Sequence, residues 1–211
     1  MPADRIHLIR HGEVHNPDGV LYGRLPHFRL SELGHRMAES AASKVAAEQR
    51  PVVKLFASPL LRTQESAAPL AEVFGLEIQT DERLIEPYNI FEGRRLTAGH
   101  ILLRPHLYYH LRNPQKPSWG EPYEQIVARM MAAIEDAWNS VDSGDVVLVS
   151  HQLPIVMVQR TVSGQPLAHN PKQRRCSLSS ITTLERRGNQ FVEVGYVDTA
   201  ANHKVIDRGA V

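Results

Sequence analysis

Arg5–Gly12 reads RIHLIRHG, and the order of residue types within it decides the fold. A β-rich run halts abruptly at a glycine, with an arginine and a histidine at its carboxyl end. The device returns at Val146–His151 (VVLVSH), where the cleanest buried strand in the chain runs into a second histidine. Between the two lies an alternation of periods. Ser31 opens a helical stretch through Arg50, and Pro51 stops it. Val52–Ala57 (VVKLFA) is a second apolar run, ended by Ser58-Pro59. Leu61–Phe74 reads as a second helix, closed by Gly75, and Leu76–Gln79 as a short third strand. Glu121–Val141 is a long helix whose Ile126, Met130, Ile134 and Trp138 recur close to the helical period. A further helix is expected over Leu153–Val162. Ser179–Leu184 and Gln190–Val197 form a hairpin around Gly188-Asn189.

Strands alternating with helices predict an α/β protein: a three-layer α/β/α sandwich with a largely parallel central sheet. The final hairpin should add antiparallel strands at one edge. The segment Gly93–Trp119 stands apart, with Arg94, Arg95, His100, Arg104, His106, His110, Arg112 and several prolines. It reads as a cap or insertion within a single domain spanning 1–211, since the chain shows neither an internal repeat nor a low-complexity tract.

Composition narrows the function class. A formal net charge of +1, from 24 basic and 23 acidic residues, argues against a broad nucleic-acid or membrane footprint. Cys176 is the single cysteine, so no internal disulfide can form and a reducing compartment is the simpler expectation. MPADRIHLIR lacks the apolar stretch of a signal peptide, and no apolar run approaches the roughly 20 residues that span a bilayer. The expected location is the cytoplasm.

In open parallel sheets ligands bind beyond the carboxyl ends of the strands. Arg10 and His11 end the first strand, Arg62 starts the helix after the second, and His151 ends the VVLVS strand. Singly, each has an ordinary reading as a loop, capping or salt-bridging residue. Together, four such residues at equivalent strand ends shift the balance from those readings toward catalysis.

At this point the sequence resembles the histidine phosphatase superfamily, the phosphoglycerate-mutase-like fold. Leu8-Ile9-Arg10-His11-Gly12-Glu13 is similar to its Arg-His-Gly signature, and Ala57–Thr63 to its second block, with Arg62 in the phosphate-binding place. Leu84-Ile85-Glu86 and Phe91-Glu92-Gly93 resemble its acidic block, Gly120-Glu121 the entry to its long helix, and Val149-Ser150-His151 its final block. Five blocks in family order are specific where a lone Arg-His-Gly is not. The resemblance implies a phosphatase of a small phosphorylated metabolite that works through a phosphohistidine on His11, without metal or other cofactor. The arginines suit that chemistry, because a guanidinium donates paired, charge-assisted hydrogen bonds to phosphate oxygens. Neutral His11 would attack phosphorus, and His151 would stabilise the charge on its oxygens. Glu86 is the expected general acid, then base, with Glu13 as its rival; alternatively Glu86 pairs with Arg83 or Arg94. Asn16, Arg24 and Gln152 are expected substrate contacts, although Asn16 reads equally as a turn residue before Pro17.

The sequence departs from the family at Gln152, where glycine usually follows the second histidine, and at Pro87–Ile90, where a small Gly-containing run is common. His106 and His110 have the i, i+4 spacing of a metal pair but no evident third ligand. The 11 histidines are too scattered for a metal carrier. A cofactor-dependent phosphoglycerate mutase and a non-catalytic phospho-ligand-binding protein are the competing readings, and a homodimer is left open.

Overall fold

The computed structural model describes residues 2–95 and 120–201. Its elements are β1 (Arg5–Arg10), α1 (Glu32–Ala46), β2 (Val52–Ala57), α2 (Leu61–Phe74), β3 (Ile78–Thr80), α3 (Tyr123–Asn139), β4 (Asp145–Ser150), α4 (Gln152–Val162), β5 (Ile181–Arg187) and β6 (Gln190–Val197), with 3-10 turns at Glu82–Leu84 and Pro171–Gln173. They form a six-stranded mixed sheet of order β3-β2-β4-β1-β5-β6. The first four strands are mutually parallel; β5 runs antiparallel to β1, and β6 antiparallel to β5.

The alternation of side chains along a strand assigns the two cores. Val146 and Leu148 of β4, with Ile6 and Leu8 of β1, pack against Ile126, Met130 and Ile134 of α3 and Ile155 and Val158 of α4. Val147, Val149 and Ile9 point the other way, onto Ala41, Ala42 and Val45 of α1 and Ala67 and Leu70 of α2. Every residue of β4 is buried. A strand covered on both faces reads as a continuous apolar run, which is why VVLVS is unambiguous.

Element ends differ from expectation for local reasons. Helix α1 starts where Ser31 caps it, its hydroxyl accepting from Gly34 N, but it stops at Ala46 rather than Arg50. Gln49 takes a left-handed conformation (φ 54°) that no helix continues through, so Pro51 is not the terminator. Pro122 sets the start of α3 at Tyr123 rather than Glu121, since the residue before a proline is pushed out of helical space. Helix α2 ends as expected, on left-handed Gly75. Strand β3 is shifted to Ile78–Thr80.

Away from the strand carboxyl ends, one polar network ties three strands together. His7 Nε2 donates to Asp145 Oδ2 (3.2 Å), His7 Nδ1 meets Thr183 Oγ1 (3.0 Å), and Arg50 grips Asp145 through two nitrogens. Burial pushes the Asp145 carboxyl up, but the bonds from His7 and Arg50 hold it below the usual carboxylate value. Of the expected cap, 96–119 lies outside the described residues, and with it His100, Arg104, His106, His110 and Arg112.

Candidate active site

The loop after β1 is held by contact rather than by turn type. A Cβ on Gly12 would lie 2.4 Å from Gly34 O, and one on Gly34 would lie 2.0 Å from Glu13 O. Only two glycines let the start of α1 come this close to the strand end. Gly12 N also donates to Ser66 Oγ (3.0 Å), so α1 and α2 jointly fix the backbone that presents His11.

His11 is 1% exposed, and its Nδ1 lies 2.8 Å from Gly12 O. A carbonyl only accepts, so Nδ1 carries the hydrogen and Nε2 keeps its lone pair. Burial, then the charges of Arg62 and Arg10, hold the ring well below the ordinary histidine value, against a smaller opposing pull from the Gly12 carbonyl. His11 is therefore a neutral imidazole with its nucleophilic nitrogen defined. The His151 ring stands 5.2 Å away, centroid to centroid. His151 Nε2 hydrogen-bonds Ser58 Oγ (2.8 Å), while its Nδ1 faces Glu86 Oε2 at 3.6 Å. It too is held well below its ordinary value, by burial and then Arg62.

Both arginines are completely enclosed, each tethered to a backbone carbonyl. Arg10 Nη1 donates to Cys176 O (2.7 Å), and Arg62 Nη2 to Gly23 O (2.7 Å). The Arg62 guanidinium lies 4.8 Å over the Tyr22 ring, a stacking lysine would not reproduce. Among the described residues, Arg62 Nε, Glu86 Oε1 and His151 Nδ1 have no hydrogen-bond partner. Buried polar atoms are ordinarily satisfied; three unsatisfied atoms on neighbouring groups mark a site shaped for a polar ligand.

Glu86 is 5% exposed. Burial raises its proton affinity, although Arg62 and Arg10 pull the other way. Its backbone is braced: Arg24 Nε donates to Glu86 O (2.5 Å), and Arg24 Nη2 reaches Glu121 Oε2 (3.3 Å), the carboxylate that also binds Arg129. Arg24, expected to contact substrate, thus holds the segment carrying Glu86. Arg83, one of the two alternative partners expected for Glu86, pairs instead with Asp81 and Asp136. Glu13 accepts from the Ser31 hydroxyl (2.7 Å) at the start of α1. Asn16 spans its own loop, donating to Val20 O and accepting from Val20 N. Gln152 lies between Cys176 O and Arg174.

Sequence reasoning missed Ser58 as the partner of His151, Tyr22 under Arg62, and Arg174. Ser58 stood inside a quoted block, so its position at a strand end was a usable signal. Tyr22 and Arg174 come from loops whose spacing carries no information about the rim they reach. Among the described residues, no group of three His, Cys, Asp or Glu is placed to hold a metal ion, and no helix is long and apolar enough to cross a membrane.

The sequence model of the histidine phosphatase superfamily (branch 1) matches residues 6–199. The chain belongs to that superfamily. As a histidine phosphatase family member it is 47% identical over 203 residues to Rv0525 of Mycobacterium tuberculosis (strain H37Rv), covering 95% of this chain and 100% of the relative. It is 27% identical over 213 residues to a Photorhabdus laumondii protein named probable phosphoglycerate mutase GpmB, covering 98% and 97%. Among solved structures it resembles the mycobacterial glucosyl-3-phosphoglycerate phosphatase Rv2419c, with a TM-score of 0.69, 25% identity, and coverage of 90% and 96%. The phosphoglycerate-mutase-like α/β fold and the superfamily expected from the five blocks are both borne out.

Proposed function

We propose that this chain is a phosphatase that hydrolyses a small phosphomonoester through a phosphohistidine on His11. The observation that carries the reading is the buried, neutral His11, its Nδ1 committed to Gly12 O, set in the field of Arg10 and Arg62. Phosphoryl transfer asks chiefly for positioning and charge stabilisation, and two enclosed guanidiniums supply both.

In the first step the His11 Nε2 lone pair forms a bond to phosphorus while the ester P–O bond breaks. Glu86, whose proton affinity burial raises, delivers a proton to the departing alkoxide. In the second, the Glu86 carboxylate takes a proton from water, the hydroxide oxygen bonds to phosphorus, and the P–N bond breaks to return neutral His11 and inorganic phosphate. Arg10, Arg62 and His151 hold the phosphoryl oxygens throughout. Glu86 fits the acid role better than Glu13 does, because Glu86 faces His151 whereas Glu13 is engaged at the start of α1. The scheme needs no metal. A single domain acting in the cytoplasm on a metabolite-sized substrate suits this reading.

The resemblance to a protein named as a glucosyl-3-phosphoglycerate phosphatase supports hydrolysis, while that to a protein named as a probable phosphoglycerate mutase favours the rival in which the phosphoenzyme returns its group to a bound acceptor. Wild type and His11→Ala, with chelator present, should be assayed for phosphate release from a panel of phosphorylated metabolites. Release by wild type alone is expected. A phosphoenzyme stable in water but discharged by phosphoglycerate would establish the mutase instead, and near-normal release by His11→Ala would refute the mechanism.

A further inference from the structure

Glu86 belongs to no helix or strand. It follows the Glu82–Leu84 turn, and the chain continues irregularly through Pro87 and Tyr88. A proton donor must be held within about 0.5 Å of its productive place, so side chains from other elements have to supply what a strand ladder would. Three do. Arg129, on α3, donates from Nη1 to Arg83 O (2.5 Å). Ser150, at the end of β4, donates its hydroxyl to Leu84 O (2.7 Å). Arg24, in the loop after β1, donates from Nε to Glu86 O (2.5 Å). The backbone carrying the acid is thus gripped from three directions.

Two of these grips converge on one carboxylate. Arg129 binds Glu121 through two nitrogens, Nε to Oε1 (2.8 Å) and Nη2 to Oε2 (2.9 Å), and Arg24 Nη2 reaches the same Oε2 (3.3 Å). The bidentate fork fixes the plane of the Arg129 guanidinium, leaving Nη1 for Arg83 O. The Glu121 and Arg129 side chains are only 11% and 15% exposed, so this is not the water-screened pair that contributes little. The backbone at Glu121 is fixed as well. Asn89 and Gly120 form an antiparallel bridge, and a Cβ on Gly120 would lie 2.7 Å from Tyr88 O. The chain just after Glu86 therefore rests directly on the chain just before Glu121. Among the described residues, the Glu121 carboxylate hydrogen-bonds Arg24 and Arg129 alone, so it bears on the site through them.

We propose that Glu121 is the positioning residue for the general acid, acting through Arg24 and Arg129 to hold residues 83–86 so that the Glu86 carboxyl meets the leaving oxygen. This rests on the phosphatase reading above, with Glu86 as its acid. Removing the Glu121 charge releases both guanidiniums and lets the Glu86 backbone shift. His11, Arg10 and Arg62 are held by other groups, the carbonyls of Gly12, Cys176 and Gly23. Attack on phosphorus therefore survives, and protonation of the leaving group is what suffers.

The test is a double-mutant cycle read as kcat/KM on glycerol phosphate, an alkyl ester, and on p-nitrophenyl phosphate, whose leaving group scarcely needs a proton. Glu121→Gln keeps the shape and removes the charge. It should lower kcat/KM for glycerol phosphate by about tenfold or more, and for p-nitrophenyl phosphate by about twofold at most. In a Glu86→Gln background the same change should have no further effect on glycerol phosphate, because a group acting through the acid then has nothing to act on. Arg24→Lys cannot reach Glu86 O and Glu121 together and should repeat both results, which keeps the test decisive if Glu121→Gln does not fold. Asp136→Asn removes a pair between α3 and the Arg83 side chain without touching the grip on the carbonyls, and should change neither rate. Equal losses on the two esters, an undiminished loss in the Glu86→Gln background, or an equal effect of Asp136→Asn would overturn the assignment. Without His11-dependent turnover of p-nitrophenyl phosphate the phosphatase reading itself falls and takes this one with it. Turnover of that ester alone, or a Glu86→Gln variant that treats both esters alike, removes the acid and Glu121 together. Where Glu86→Gln separates the esters and Glu121→Gln does not, only the role of Glu121 is lost.

Discussion

Acid should destabilise this protein through the buried histidines of its candidate site. His11 and His151 are buried and held neutral, well below the ordinary value of 6.5. An unfolded chain protonates both near 6.5, so below that pH the unfolded state binds protons that the native state refuses. Stability from these groups is therefore complete above that value and is lost as pH falls toward the folded-state values. Between about pH 7.5 and about 5.5 each ring should cost about 1 kcal/mol, and the two together about 2–3 kcal/mol. A chain of 211 residues has an unfolding entropy of roughly 0.44 kcal/mol/K at its midpoint, so the pair lowers Tm by about 6 °C. Glu86 works in the opposite sense. Its raised affinity makes the native state the better proton binder as pH falls toward the unfolded value of 4.5, and stability from it rises on acidification. The quantity to read is accordingly the difference between wild type and variant, by scanning calorimetry in phosphate-free buffer. His11→Asn and His151→Asn should each flatten the Tm–pH curve by about 3 °C over that interval. Curves for both variants running parallel to wild type would refute the neutral-histidine argument.

Three further outcomes are expected. Glu86→Gln should lower turnover of alkyl phosphates by roughly 10²–10⁴ while costing p-nitrophenyl phosphate far less, since a nitrophenolate scarcely needs a proton; equal losses on both, measured as kcat/KM, would remove Glu86 from the acid role. Gly12→Ala places a methyl 2.4 Å from Gly34 O, so it should cost about 1–3 kcal/mol in denaturant unfolding and depress turnover by displacing His11; a variant matching wild type in both would show that the close approach is dispensable. Ser58→Ala removes the hydroxyl bonded to His151 and should lower kcat/KM by roughly tenfold while changing stability by about 1 kcal/mol; an unaltered kcat/KM would mean that His151 needs no such orientation.

The central strands were legible because they are covered on both faces and therefore spell continuous apolar runs, whereas β3, half exposed and three residues long, offers no such run. Helix ends were less legible, because they depend on conformations that composition does not dictate. Gln49 ends α1 from a left-handed position that an ordinary glutamine gives no reason to expect. Of the site, the residues at strand ends could be found, since topology alone brings Arg10, His11 and His151 to one rim. Arg62 followed because α2 begins where β2 ends. The groups that orient them could not be found in the same way: Tyr22 reaches Arg62 from the loop after β1, and Arg174 reaches Gln152 from 22 positions downstream. Neither distance corresponds to any local period.

Charge explains why such an expensive arrangement would be kept. Two enclosed arginines contribute two positive charges, while both histidines are neutral and burial holds Glu86 toward its neutral form. Burying like charges costs stability, and here the cost falls where a phosphate monoester, a dianion, matches the surplus. On the proposed mechanism its arrival also changes the other groups in a useful direction. Negative charge beside Glu86 opposes the pull of Arg10 and Arg62, so the carboxyl keeps its proton more firmly until the leaving alkoxide claims it. Once the alkoxide has left with that proton, Glu86 is the anion that activates water. The same burial that weakens the empty fold thus sets the order of the two proton transfers.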